Sequence, residues 1–294
     1  MKAKLLVSLV AVYVIWSSTY LAMRICVVEL PPMLMASARF AAAGGTLLAV
    51  AVYTGAKVPP LRDWLRMLPI GTLLFVGGNG FIAIAEQSVA SGGAAVIAAM
   101  MPLWIGVLGR FFGTTATARE WASLVLGFVG VVVLMGGPSL AGEPIHMVLL
   151  MFAPICWALG SLLARRTKDI GGRNATLVGP AMQMIMGAAS LLVVALLRGE
   201  RWPAHASTNA YLSLVYLWSF GSVIGFTAYG WLLAHARPVV ATSYAYVNPI
   251  LAVLLGAALY KEPLGWTTVV ANILIVIAVM LALRKPRSGA ASDV

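Results

Sequence analysis

Apolar runs of about 20 residues follow one another along the chain, separated by short breaks that hold its Pro, Gly and charged residues. Runs such as "SLVLGFVGVVVLMGG" do not alternate apolar with polar positions, so they lack the period of two that a membrane β-barrel strand requires. At 1.5 Å rise per residue, about 20 residues cross the hydrocarbon of a bilayer, and each run therefore predicts a spanning helix. Ten spans follow: 5–25, 33–54, 65–86, 91–112, 119–137, 146–164, 175–198, 210–233, 239–260 and 265–284. Lys2 and Lys4 before the first run resemble the start of a signal peptide. That run is too long for a signal-peptide core and no small-x-small cleavage site follows, so it is read as a retained helix.

Composition agrees with the pattern. The 294 residues are 61% hydrophobic and 10% charged, with a mean hydropathy of +0.95. A soluble domain carries about 25% charged residues, so this chain cannot cover itself with a water-facing surface. The net charge of +11 invites a nucleic-acid reading, which topology removes. With the N-terminus in the cytoplasm, only Arg24, Arg39, Arg198, Arg201 and Lys261 of the 20 Lys and Arg residues fall toward the outside. This positive-inside bias predicts a multi-pass protein of the bacterial inner membrane with both termini cytoplasmic. Cys26 and Cys156 suggest no disulfide framework.

The spans repeat. Offset by 147 residues, "ATSYAYVNPILAVLLG" (241–256) lies over "AAVIAAMMPLWIGVLG" (94–109), with Ala98 on Ala245 and Pro102 on Pro249. Offset by 141, "IWSSTYLAMR" (15–24) lies over "CWALGSLLAR" (156–165), with Trp16 on Trp157 and Arg24 on Arg165. Five spans per half is an odd number, so the halves, 1–140 and 141–294, should have opposite orientations. The predicted fold is an all-α membrane protein: ten transmembrane helices as two inverted five-helix repeats around a central cavity, with the substrate site near the midplane.

Several marks resemble the EamA-type transporters of the drug/metabolite transporter superfamily. They are the five-plus-five spans, a Trp in the first helix of each half, the "PMLMASARF" spacing (32–40), and a Pro in the fourth and ninth spans. The most specific piece is "YVNPILAVLLGAALYKEPLGW" (246–266); its acidic position falls on Thr115 in the first half. The resemblance covers nearly the whole chain. It implies export of small metabolites, often amino acids.

Polar residues inside the spans nominate the site. Tyr244 and Asn248 are four apart and share a helix face, whereas Tyr246 points to the flank. Pro102 and Pro249 lack an amide hydrogen, so the carbonyls of Ala98 and Ala245 lose their helical donors and the helices bend. Such carbonyls are tolerated in a membrane where protein or a water-filled cavity satisfies them, and both options stand. Asn79 among glycines and Tyr229 on a stripe with Gly221 and Gly225 add polar groups that should avoid lipid. The stripe serves close packing and sliding equally well. Trp16 and Trp157 fall mid-span and are preferred over Trp104 and Trp231 as the apolar wall. The substrate-binding set is thus Trp16, Asn79, Trp157, Tyr229, Tyr244 and Asn248. Three roles are open to Arg39: attracting a substrate carboxylate, pairing with Glu86, or snorkelling to the headgroups. Glu86, at the end of its helix, is the candidate for proton coupling; Lys261 and Glu262 read as loop residues.

An intramembrane enzyme would need convergent catalytic groups or metal-ligand spacing. The nine acids are scattered, and His146, His205 and His235 sit at span ends or in loops. Neither a metal site, a cofactor motif nor a phosphate-binding loop for ATP is present in the sequence. A channel would need a ring of like residues, usually from oligomer symmetry; a channel-like facilitator and an intramembrane enzyme stay as the alternative readings. The expected activity is therefore a secondary carrier exporting small amphipathic metabolites, neutral or aromatic amino acids first, by alternating access. Its partners are a small-molecule substrate and lipid, with no nucleic acid; monomer and homodimer are both open.

Overall fold

The computed structural model describes residues 2–88, 97–134, 143–167, 169–251 and 266–283. Among them every regular element is helical. The helices are α1 (Lys2–Glu29), α2 (Pro32–Tyr53), α3 (Leu61–Ala85), α4 (Met101–Phe112) and α5 (Ala118–Leu134). They continue as α6 (Pro144–Arg166), α7 (Ala175–Leu197), α8 (Thr208–His235), α9 (244–251) and α10 (Trp266–Leu283). Of the described helices, α1, α2, α3, α6, α7 and α8 are long and apolar enough to cross a membrane. Lys261, Glu262 and the ends of the spans placed at 91–112 and 239–260 lie partly or wholly outside the described residues.

Local chemistry sets the boundaries. Pro32 and Pro144 stand at the first turns of α2 and α6, where a missing amide hydrogen costs nothing. The N-terminus of α2 lacks a cap from its own chain neighbours, and the Glu200 carboxylate accepts from the Leu34 amide instead, at 2.8 Å. Ser207 caps α8 by accepting from the Ala210 amide, and its own amide donates to Glu29 at the end of α1. These bonds tie the α1/α2 and α7/α8 corners together at one end of the molecule. At the opposite end, the Arg165 guanidinium donates to the Leu233 carbonyl in the last turn of α8 and to that of Ala236 just past it, and Arg237 pairs with Glu120 at 2.8 Å.

Packing between helices follows a pattern. Helix α2 lies along α7, and α10 lies along α5. Helix α1 packs on α8, and α6 packs on α3. Two helices carry a wider turn: π-helical stretches occupy Thr72–Gly80 of α3 and Leu217–Ile224 of α8. The stretches begin 145 residues apart, between the two offsets of the sequence repeat. A π turn adds a residue and releases carbonyls from the regular ladder, and it is found often at functional sites. The apolar core runs through the centre, around Trp16, Phe40, Phe75 and Phe226.

Candidate functional site

A cavity of about 80 Å3 lies at the centre, walled by α1, α2, α3, α4, α6, α8 and α9. Its lining includes Trp16, Arg39, Asn79, Trp157, Phe226, Tyr244 and Asn248, with the Ala98 and Ala245 backbones that precede the two prolines. Five of the six expected substrate residues therefore meet there. The sixth, Tyr229, does not line it. Its ring stands 5.1 Å from Trp16 on the far side, and its hydroxyl bonds Ser161 at 2.7 Å.

Each indole is seated on a glycine. An added Cβ on Gly78 would fall 2.5 Å from the Trp157 ring, and one on Gly225 would strike the Trp16 ring. Any larger residue would drive the rings apart, so these glycines are needed for close approach. The Trp16 indole N–H also donates to the Gly221 carbonyl at 3.0 Å, within the π stretch of α8. Gly221, Gly225 and Tyr229, the stripe seen in the sequence, together form the bed on which Trp16 rests. The two indoles meet edge to face at 5.7 Å, and Tyr244 packs on Trp16 at 4.7 Å. Such contacts fix ring orientation as well as adding apolar burial.

The polar groups are held as firmly. Asn79 donates its amide hydrogen to the Leu74 carbonyl at 3.3 Å, five residues back, where the π turn of α3 leaves room. Asn248 is 2% exposed, and with its amide assigned so that nitrogen rather than oxygen faces the neighbouring acceptors it donates to the carbonyls of Tyr13 and Tyr244, at 3.2 and 3.1 Å. It both faces the cavity and pins α9 to α1. The Tyr13 hydroxyl adds a bond of 2.6 Å to Ser243 beside it. Tyr246 turns away from the cavity, as the helix period requires, yet it is buried: its hydroxyl donates to the Leu124 carbonyl of α5 at 2.9 Å.

The two ionisable candidates separate. Arg39 lines the cavity, is 4% exposed, and donates its Nε–H to Ser222 at 2.7 Å. Burial removes the snorkelling role, and among the described residues no ion pair joins Arg39 to Glu86. Glu86 is off the cavity wall. Its place at a helix end does not make it solvent-facing: it is 8% exposed, and its Oε2 has no hydrogen-bond partner among the described residues. The expected bends are not where the prolines stand: Pro102 lies in the first turn of α4, after a turn at residues 99–100, and α9 runs unbroken through Pro249, the nearest turn lying at 242–243.

Some lining residues carried no signal in the sequence. Phe226 is one aromatic among many in an apolar run, and Thr19 and Met23 resemble ordinary span residues. Pro154 was detectable by the same rule as Pro102 and Pro249, since it sits three residues before Trp157 in mid-helix.

Comparison with known proteins gives the arrangement a family. The EamA-like transporter family matches residues 3–136 and again 144–284. The chain is 40% identical over 276 residues to the Escherichia coli (strain K12) protein named "Uncharacterized inner membrane transporter YedA", covering 93% of this chain and 89% of that one. It is 26% identical over 274 residues to an "Uncharacterized transporter" of Archaeoglobus fulgidus, covering 92% and 95%. The "WAT1-related protein At3g02690, chloroplastic" of Arabidopsis thaliana matches at 23% identity over 93% of this chain and 68% of its own length. A crystal structure with 21% identity superposes with a TM-score of 0.77 over 96% of this chain and 97% of that one, a likeness of fold. A match that spans both halves, with a relative at 40% identity along almost its full length, establishes that this chain belongs to the EamA-like transporter family.

Proposed function

We propose that the protein is a secondary carrier that exports small amphipathic metabolites, neutral or aromatic amino acids first, by alternating access. It would sit in a bacterial inner membrane as ten spans, with both termini cytoplasmic and with two inverted repeats, 1–140 and 141–294. The name of the Escherichia coli relative and the long apolar helices support that location, and the bias of Lys and Arg supports the orientation.

One observation carries the reading. Trp16 of the first half rests on Gly225 of the second, and Trp157 of the second half rests on Gly78 of the first. The two pairs face each other across one cavity. The helix pairings exchange in the same way, α1 on α8 and α6 on α3, and the π stretches fall at corresponding places. This reciprocity is what two inverted repeats with a shared site produce. A cavity made by both halves changes its access when one half rocks on the other. Its volume, about 80 Å3, is below the roughly 300 Å3 at which small-molecule sites begin, so a substrate must displace lining side chains.

The test is counterflow in liposomes: purified protein, vesicles loaded with one unlabelled amino acid at a time, and a trace of the labelled compound outside. Saturable, transient accumulation for at least one neutral or aromatic amino acid is expected. Flux linear in concentration would indicate a channel, and a changed compound an enzyme; either outcome removes the carrier.

A further inference from the structure

Arg39 is a buried cation that makes no ion pair among the described residues. Its guanidinium has five N–H donors in a planar fork, and the structure spends the Nε donor on Ser222. The guanidinium carbon lies 4.6 Å from the centre of the Phe40 ring, and Nη2 lies against the glycine backbone at 221. Ser222 and the Phe40 ring hold the side chain in place, and neither is an anion. Among the described residues, no Asp or Glu lines the cavity that Arg39 faces.

The chain has nine acids, few enough to follow individually. Glu29 binds Ser207, Asp63 pairs with Arg66, Glu120 with Arg237, Glu143 with His146, and Glu200 with Arg198. Asp169 lines a different cavity, at the Arg237 end. Glu86 makes no ion pair with Arg39 among the described residues, and Glu262 and Asp293 lie outside them. A buried cation in a span is costly, and it is retained where it meets substrate, ion or partner.

We propose that the missing counter-ion arrives with the substrate: Arg39 receives a carboxylate, and the transported compound carries that carboxylate on a small apolar body. The body would lie against Trp16, Trp157 and Phe226, which stand within 5.1 to 6.0 Å of one another. A single guanidinium in a wall whose other described residues are uncharged matches a monoanion. A phosphate dianion would need further cations, which this wall lacks. The assignment rests on the carrier reading above and adds the substrate class to it.

Three probes of one shape separate the possibilities: isovalerate, isovaleramide and isopentylamine. Thermal melting of the detergent-solubilised full chain is followed as each is titrated. Isovalerate should stabilise the protein at concentrations at least tenfold below those at which the amide or amine acts. Arg39→Gln should erase that preference and Arg39→Lys should keep part of it, because the ammonium retains the charge and loses the fork. The proposal is overturned if the amide or amine protects the wild type as well as the acid, if no probe shifts the melt, or if Arg39→Gln keeps the preference. The wild-type comparison decides the matter even where the Gln variant fails to fold. Failure here is distinct from failure of the carrier. Saturable counterflow of uncharged compounds, unchanged by Arg39→Gln, sinks the carboxylate and spares the carrier. Acid-selective melting without saturable flux does the reverse.

Discussion

Asn248 and Tyr246 are two residues apart in the same helix, and both are buried polar side chains. They differ in what their hydrogen bonds hold. Asn248 joins α9 to the Tyr13 carbonyl of α1 on the cavity wall, whereas Tyr246 joins α9 to α5 away from it. An intramembrane hydrogen bond is worth about 0.6–2 kcal/mol, so neither loss should unfold the protein. Asn248→Ala should raise the half-saturation concentration of counterflow roughly 3- to 30-fold, at 1.4 kcal/mol per decade. Tyr246→Phe should lower the melting temperature and leave half-saturation within about twofold, because its hydroxyl bonds α5 and is not on the cavity wall. Equal effects of the two on half-saturation would mean that α9 acts only as a packing element. Glu86 poses a separate question, since its buried Oε2 has no partner among the described residues. A carboxyl so placed is a candidate for taking up and releasing a proton. Glu86→Gln, permanently neutral, should abolish uptake driven by a pH gradient and leave counterflow intact. Gradient-driven uptake equal to wild type would remove Glu86 from coupling.

At the scale of the helix, two irregularities build the site: π stretches and prolines. The π stretch of α8 presents the Gly221 carbonyl to Trp16 and the Ser222 hydroxyl to Arg39; that of α3 presents Asn79. Gly78, within the first stretch, and Gly225, just past the second, seat the indoles. Gly78→Ala and Gly225→Ala should each cost about 1–3 kcal/mol through overpacking. If the halves correspond, the two variants should shift tryptophan fluorescence and slow counterflow to a similar degree; a silent member of the pair would break the correspondence. Pro102→Ala and Pro249→Ala should insert and fold yet transport poorly, since Ala98 and Ala245 both line the cavity. Full transport by both would mean that the prolines serve packing. The prolines were legible in the sequence but their effect was not: Pro102 falls in the first turn of α4, where a missing amide hydrogen costs nothing, and α9 runs on through Pro249 as α6 does through Pro154. Trp16, Trp157, Asn79, Tyr244 and Asn248 were legible because large aromatic or polar groups in mid-span are few. The π stretches were not: "TLLFVGGNG" reads as an ordinary apolar turn, and the extra residue shows only in three dimensions. Tyr229 was assigned to the right neighbourhood and the wrong side of Trp16, because periodicity gives a face and not a depth. Tyr246 shows the same limit, for its face was legible and the helix α5 that covers it was not.

Across the whole molecule, two cavities stand in series. The central one reaches from the indoles toward Ile82 and Met23; a second, of about 310 Å3, runs past Gln183 and Tyr229 to Asp169 and His235. Phe226 lines both and packs on Trp16, Trp157, Phe40 and Phe75, at centroid distances from 5.1 to 6.0 Å. It is therefore the partition between them. In the proposed topology the second cavity would face the cytoplasm, which a reporter fusion checks: one at the C-terminus should be cytoplasmic and one at Pro144 external. A cytoplasmic signal at Pro144 would break the ten-span, inverted arrangement. If the protein is the alternating-access carrier proposed above, it must not open both cavities at once, and Phe226 is the residue that lines both. Phe226→Ala removes the ring and leaves the backbone of α8 unchanged, so the two spaces should merge. Vesicles carrying Phe226→Ala should lose an imposed substrate gradient faster than wild type by about tenfold or more, and flux should become less saturable. Phe226→Leu keeps most of the volume and should behave nearly as wild type. Truncating a packed aromatic costs about 3–5 kcal/mol, so the melt of each variant must be recorded beside its flux. If folded Phe226→Ala protein holds a gradient as well as wild type, the barrier lies elsewhere, in the Trp16–Tyr229–Tyr244 layer that would then be the next to truncate.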